Sequence, residues 1–231
     1  MIKSEQSWGI SIVVPILNEA GEMHVLLAHL LSLQHKGCQI IVVDGGSDDD
    51  SIALVKAAGF SVISTSRGRA CQMNAGAQAA DKDFLLFLHA DTRLPDSFDT
   101  LLCNALVDEG ADWGRFDVSI EGEPLMLKTI SWCINCRSRL TGIATGDQAI
   151  FVSRHAFESV GGFPEQPLME DIELSKRLKK HSAPFCARHK VTTSGRRWIE
   201  NGVWRTVWLM WQLRLAYWLG VPADKLIGRY R

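Results

Sequence analysis

The sequence has almost no excess of charge: among 231 residues, 25 Lys and Arg stand against 26 Asp and Glu, a formal net charge of −1 at pH 7. No phosphate-attracting field arises from that balance, which argues against nucleic acid as the main partner. An apolar leader is also missing, because the opening MIKSEQSWG contains no hydrophobic run. Six cysteines (Cys38, Cys71, Cys103, Cys133, Cys136 and Cys186) have no framework spacing. Cys133 and Cys136 form a lone C-x-x-C with no second pair, and they read as buried thiols on a helix. These absences predict a cytoplasmic, reduced protein. Glycine fingerprints are lacking too: the first strand ends in Pro-Ile-Leu-Asn-Glu, with neither G-x-G-x-x-G nor G-x-x-x-x-G-K-[ST] in the chain. That leaves a dinucleotide-dependent dehydrogenase or a P-loop enzyme without support. No repeat, low-complexity tract or flexible linker divides the chain, so one compact domain over residues 1–231 is expected.

What is present is an alternation of short β-branched runs with helical patterns. Strands are predicted at Gly9–Val14, Ile40–Val43, Phe60–Ser64 and Phe84–Leu88. Helices are predicted between them at Glu22–Leu33, Ser51–Ala58 and Ala70–Ala79, with Asn18 and Ser47 to Asp50 as capping candidates for the first two. Nearly continuous apolar strands alternating with helices indicate a mostly parallel α/β sheet with helices on both faces. Downstream, helices are read at Asp96–Glu109, Leu125–Leu140, Glu170–Lys180 and Gly202–Leu219, and strands at Trp113–Ile120 and Gln148–Val152. Residues of about 1–95 then form a nucleotide-binding half and about 96–231 an acceptor half.

Ligands of open α/β sheets sit beyond the carboxyl ends of the strands. Three acidic clusters fall there: Asn18 and Glu19 after the first strand, Asp44 to Asp50 after the second, and His89-Ala-Asp91-Thr92 after the fourth. Gathered carboxylates repel one another unless a cation or a ligand's donors join them. For Asp48 to Asp50, capping of a helix N-terminus is the better reading. Asp44 differs, since it directly follows Ile-Ile-Val-Val and precedes two glycines that let the backbone approach a ligand. Asp91 lies too early to cap the next helix and reads as a metal ligand. Arg67 and Arg69 flank a glycine at a helix start, which suits a diphosphate or a solvated turn.

These segments together resemble glycosyltransferase family 2. The resemblance is carried by Ser11-Ile-Val-Val-Pro-Ile-Leu-Asn-Glu19, Val43-Asp-Gly-Gly-Ser-Asp48, Leu88-His-Ala-Asp-Thr92 and Pro167-Leu-Met-Glu-Asp-Ile-Glu-Leu174. More narrowly, Arg67 to Gly76, Thr145 to Phe151 and Ser194 to Trp198 are similar to a bacterial glycosyltransferase-like group associated with arsenosugar biosynthesis. The resemblance implies a GT-A-type fold and sugar transfer from a nucleotide-sugar donor to a small-molecule or lipid-linked acceptor. It implies that Pro15, Asn18 and Glu19 line the nucleotide pocket and that Asp44 holds the base or ribose. Asp91 matches the last residue of a D-x-D motif that holds Mg²⁺ or Mn²⁺, and His89 stands where the first aspartate is expected. Asp171 matches the catalytic base of inverting members, with Glu170 and Glu173 as rivals; Glu173 is spaced to pair with Arg177 instead. Asp147 and Gln148 are expected to face donor or acceptor, and Arg196 and Arg197 to clamp a diphosphate. The alternatives are a nucleotide-sugar-binding scaffold without turnover and a nucleotidyltransferase.

The C-terminal helix is rich in tryptophan: Trp204, Trp208, Trp211, Leu215 and Trp218 recur on one face. With Arg205, Gln212 and Arg214 interrupting it, the segment is too short and charged to span a membrane. Burial in the core or a homodimer contact is favoured over peripheral attachment to the inner face of a membrane.

Overall fold

A computed structural model describes residues 9–230; the leaderless opening inferred above lies mostly outside them. Eight strands form one sheet: β1 (Ile10–Ile16), β2 (Gln39–Asp44), β3 (Val62–Ser64), β4 (Phe84–Phe87), β5 (Thr92–Arg93), β6 (Trp113–Glu121), β7 (Phe151–Ser153) and β8 (Phe185–Ser194). Their spatial order is β3-β2-β1-β4-β7-β6-β8-β5. The first four are mutually parallel, β7 runs antiparallel to both β4 and β6, and β6 with β8 is parallel again. The helices are α1 (Met23–His35), α2 (Ser51–Ala57), α3 (Arg69–Ala79), α4 (Phe98–Leu102), α5 (Met126–Thr141), α6 (Arg154–Ser159), α7 (Glu170–Lys179), α8 (Arg196–Glu200), α9 (Val203–Trp218) and α10 (Ala223–Tyr230).

Alternation along β1 divides the core in two. Ile10, Ile12, Val14 and Ile16 meet Leu26, Leu30 and Leu33 of α1 on one face, where Phe98 and Leu127 also pack. Val13 looks the other way, toward Met73 and Ala77 of α3, Phe157 of α6 and Leu174 of α7. Each such side chain, fully buried, contributes on the order of 1.5–3 kcal/mol. Gly76 sets how closely α3 approaches: a Cβ there would lie 2.3 Å from Val13 Cγ1.

Several sequence expectations are corrected. Asn18 does not cap α1, and in the Ser47–Asp50 run it is Asp49 that serves the start of α2. Neither Glu22, which precedes α1, nor Asp50, which precedes α2, makes a side-chain cap bond. Instead the two loops are tied together, Asp48 N–H to Asn18 Oδ1 at 3.0 Å and Asn18 N–H to Ser47 Oγ at 2.9 Å. Asp49 does serve a helix start, accepting Ser51 N–H at 2.9 Å, and also takes Ala20 N–H from the other loop at 3.0 Å. The strand expected from Gln148 begins only at Phe151, because Gly146–Gln148 is a 3₁₀ turn closed by a Thr145/Gln148 capping box. Strand β8 was not foreseen. Between Cys186 and Lys190 it carries more residues than Arg115 to Asp117 on its partner, and the extra Arg188 and His189 face solvent. Cys133 is exposed and Cys136 half-buried, so the pair is not a buried one; all six cysteines are free thiols.

The tryptophan face of α9 is not core. Trp204, Trp208, Trp211 and Trp218 are 68–75% exposed. The opposite face does the packing: Leu213, with Met210 and Tyr217, meets Leu168, Met169 and Ile172 at the start of α7, and Leu226 of α10. Among the described residues, no helix is long and apolar enough to cross a membrane.

Candidate active site

The carboxyl ends of β1 and β2 are fixed from below by Gln72 of α3, whose Nε2 donates to Ile16 O at 2.8 Å and to Val43 O at 2.9 Å. Sequence reasoning gave Gln72 no role, because its burial (3% exposed) shows only in the folded chain. Asp44, 1% exposed, accepts N–H bonds from Gly46 and Ser47 and so organises the turn that follows β2. What that turn presents outward is therefore backbone as much as carboxylate. Pro15 lies half-buried within β1, and Asn18 is exposed in the loop beyond it.

Glu19 lies across the same edge. Burial raises its carboxyl above the ordinary range; Arg196, 3.8 Å away, and Arg69 oppose the shift, while Asp91 and Asp49 add to it. Arg196 comes from α8 and Arg69 from α3, so three elements reach this end of the site. Arg67 is exposed and Arg197 half-buried. Trp198 is part of the hydrophobic packing of the first core face.

His89 sits at the centre. Burial and the nearby Arg69 lower its pKa, against the pull of Asp91, Asp147 and Asp171, so the imidazole is neutral at pH 7. Gly146 makes room for it: a Cβ there would stand 2.4 Å from His89 Nε2. The same Gly146 donates its N–H to Asp171 Oδ2 at 2.8 Å, and Asp171 Oδ1 takes the Ile172 N–H at 2.7 Å. Asp171 is thus aimed by two backbone donors at the start of α7. Glu173 lies further along that helix and pairs with Arg177 at 3.7 Å and Lys176 at 3.6 Å, as its spacing predicts.

Gln148 requires a correction. It is fully buried, with Oε1 taking Thr145 N–H at 3.2 Å and Nε2 reaching Phe116 O at 3.3 Å, so it supports the turn and does not face a ligand. Its neighbour Asp147 is half-buried, and Asp147 Oδ1 has no hydrogen-bond partner. Among the described residues, the non-glycine residues with positive φ are Asn18 (55°), Ala149 (47°) and Met169 (65°). Each adjoins the site, where such conformations cost on the order of 1–3 kcal/mol and are held by surrounding structure.

A divalent ion was expected at Asp91. Among the described residues, no three His, Cys, Asp or Glu side chains form a ready-made cage. Asp91 is an exposed carboxylate with Oδ1 held by the hydroxyls of Thr92 (3.2 Å) and Thr193 (3.3 Å), which orients it without closing its outer side. That donor set fits an ion bound by one protein carboxylate together with substrate phosphates, the usual arrangement for Mg²⁺.

Glu170 is 5% exposed, and burial followed by the Asp171 charge raises its pKa to about 7, with Arg69 opposing. Above its unfolded value the folded state retains the proton longer than the unfolded chain does. Stability attributable to this group therefore falls as pH rises from about 4.5 to about 7 and stays low above that. Glu170→Gln is expected to unfold at higher temperature than the parent at pH 8, by ~1–3 kcal/mol in stability, and to show no gain at pH 4. Thermal unfolding at both pH values checks this, and an equal gain at each would refute the assignment.

Two arginines escaped the sequence reading. Arg137 of α5 and Arg214 of α9 lie on the side of the site where Asp147 and Asp171 meet, and each carries the electrostatic imprint of both carboxylates. The signal available was position: Arg214 stands four residues after Met210 and three before Tyr217, on the packed face of α9 and not among the tryptophans.

The description Glycosyl transferase family 2 matches residues 11–158. A poly-β-1,6-N-acetyl-D-glucosamine synthase of Staphylococcus epidermidis is 26% identical over 197 residues, covering 77% of this chain and 48% of that protein. The chain thus spans about half the length of that curated relative. Among solved structures, S. aureus TarS 1-349 in complex with UDP-GlcNAc superposes with a TM-score of 0.65 at 15% identity, over 80% of this chain and 58% of that one. Glucosyl-3-phosphoglycerate synthase from Mycobacterium tuberculosis, with Mn²⁺ and UDP-Glc, gives 0.60 at 19% identity, over 81% and 70%. The fold is therefore the GT-A one that the resemblance implied, and with the family match extending from β1 through α6, the chain belongs to glycosyltransferase family 2.

Proposed function

We propose that this protein transfers a sugar from a nucleotide-sugar donor to an acceptor hydroxyl, with inversion, assisted by Mg²⁺ or Mn²⁺. One observation carries the reading: the charges of Asp91, Asp147 and Asp171 all act on His89, and Gly146, packed against the His89 ring, donates its N–H to Asp171, so the ion-binding and base functions share one cleft. Pro15, Asn18, Glu19 and the turn organised by Asp44 form the nucleotide end. Arg67, Arg69, Arg196 and Arg197 flank the diphosphate. Asp91 holds the ion against the donor phosphates. The bound ion supplies charge neutralisation of the leaving diphosphate, so no carboxylic acid has to protonate it. Asp171, aimed by Gly146 N–H and Ile172 N–H, removes the acceptor hydroxyl's proton as that oxygen attacks the anomeric carbon. The exposed tryptophan ridge of α9 is the surface for peripheral membrane contact or for a second copy, and a cytoplasmic location accords with either.

Titration calorimetry with a panel of UDP-, GDP- and CDP-sugars, with and without Mn²⁺, tests the reading. Binding of one donor is expected to strengthen about ten-fold or more with the ion, followed by release of the nucleoside diphosphate. Metal-independent binding with no release from any donor would make the protein a nucleotide-sugar-binding scaffold. Binding of free nucleoside triphosphates alone would make it a nucleotidyltransferase.

A further inference from the structure

Two elements beside the site, α5 and the turn before β7, carry unsatisfied polar groups. Arg137 Nη1 and Nη2 are buried and have no hydrogen-bond partner, and the same holds for Asp147 Oδ1. Buried donors and acceptors are nearly always satisfied, and a guanidinium left unpaired is among the costlier exceptions. Burial lowers the Arg137 pKa to about 10, and the Arg214 charge beside it acts in the same sense. Both guanidinium groups remain cationic at neutral pH, and the Arg214 charge is near enough to act on Arg137.

We infer that Arg137 and Arg214, with Asp147 and Asp171, form the acceptor subsite, and that it takes a small hydroxy-anion: a molecule bearing a carboxylate or phosphate beside the hydroxyl to be glycosylated. The inference rests on the reading of Asp171 as the base. Its chemistry follows from what is unpaired. Forked cationic donors call for an anion, and a carboxylate lacking a donor calls for a hydroxyl. One ligand carrying both groups satisfies all of them and sets its hydroxyl toward Asp171.

Neither charge neutralisation nor donor binding accounts for these arginines as well. If they merely neutralised Asp147 and Asp171, ion pairs would join them, yet among the described residues no contact within 4.0 Å does so. If they held the donor diphosphate, they would face Glu19 and Asp91. The cations bearing on Glu19 are Arg196 and Arg69, whereas Arg137 and Arg214 bear on Asp147 and Asp171.

The test uses glycerol 3-phosphate, glycerate and glycerol, which share a three-carbon hydroxyl skeleton and differ in charge, alongside the nucleoside diphosphates UDP, GDP and CDP with Mn²⁺. The full chain is expected to bind the two anions at least ten-fold more tightly than glycerol. Arg137→Met and Arg214→Met should each weaken anion binding about ten-fold or more and leave nucleotide affinity within about two-fold. Without ligand, Arg137→Met should unfold at the same or a higher temperature than the parent, because buried unpaired donors are removed, and the anions should no longer raise it. Arg137→Lys, which keeps the charge and loses the fork, should fall between. The inference is overturned if neither anion binds the parent chain, if both variants bind the anions normally, or if nucleotide affinity falls in step with anion affinity. Failure of the parent to bind any nucleotide would sink the transferase reading separately, and the anion titrations would still decide the subsite.

Discussion

Asp171→Asn is expected to lower transfer by about 10² to 10⁴-fold while nucleotide affinity in the presence of Mn²⁺ stays within about two-fold. The amide is isosteric with the carboxylate, so its oxygen can still take the Gly146 N–H, and only the local Ile172 N–H, which belongs to the next residue of α7, loses its acceptor. What is lost is the ability to accept a proton from the acceptor hydroxyl, which is needed only as the new bond forms. Turnover should therefore fall at unchanged donor KM, the pattern of an interaction made in the transition state alone. Asp91→Asn should do the opposite to binding, weakening donor affinity and its dependence on Mn²⁺. Glu170 does not substitute for its neighbour, since it is buried and retains its proton up to about pH 7. If Asp171→Asn retained turnover within about three-fold, Asp171 would be no more than a helix-start carboxylate.

The parallel half of the sheet was legible because its strands are buried on both faces and read as unbroken apolar runs; Ile40 to Val43 pairs with β1 as that pattern demands. Strand β8 was illegible because Arg188, His189 and Lys190 interrupt it at a bulge, and β5 because two residues carry no pattern. Asp44 and Asp91 were visible in sequence since each follows a hydrophobic run that fixes where the chain emerges, whereas Asp147 and Asp171 were singled out by the family resemblance. The acceptor-side arginines were visible in neither way. Arg137 and Arg214 belong to helices whose sequences offer several outward faces, and only packing decides which face meets the cleft. Gln148 misled for a related reason: a polar residue in a matching motif reads as a contact, whereas here its amide closes a buried turn. The tryptophans of α9 were correctly grouped on one face, but periodicity alone does not say which face is turned to the protein.

Asp117→Leu is expected to destabilise the fold by ~3–5 kcal/mol, a large part of the ~5–15 kcal/mol that holds a domain together. Asp117 is the shared partner of two arginines on β6 and α5: Oδ1 pairs with Arg115 Nη1 in a short contact, and Oδ2 with Arg139 Nη2 at 2.6 Å. Arg139 is about one-third exposed and can return to water, but Arg115 is 1% exposed. Without Asp117 it retains only the Phe116 carbonyl at 3.2 Å, while its Nε and Nη2 already lack partners. The cost is that of a stranded buried charge, so it should be largely recovered in Arg115→Met/Asp117→Leu, where both charges are gone. Urea denaturation reads the difference: the midpoint should drop in the single variant and return in the double, with little change in slope. Loss of less than about 1 kcal/mol in the single variant would mean that water reaches Arg115 and that the pair is not a buried one. The consequence extends to the site, because Phe116 O also receives Gln148 Nε2 at 3.3 Å and Arg115 lies within electrostatic range of Arg137. A freed Arg115 would add a third cation behind the acceptor-side arginines and loosen the turn that carries Asp147. Turnover of the single variant should accordingly fall even at temperatures where it remains folded, and the double variant should restore stability more completely than activity.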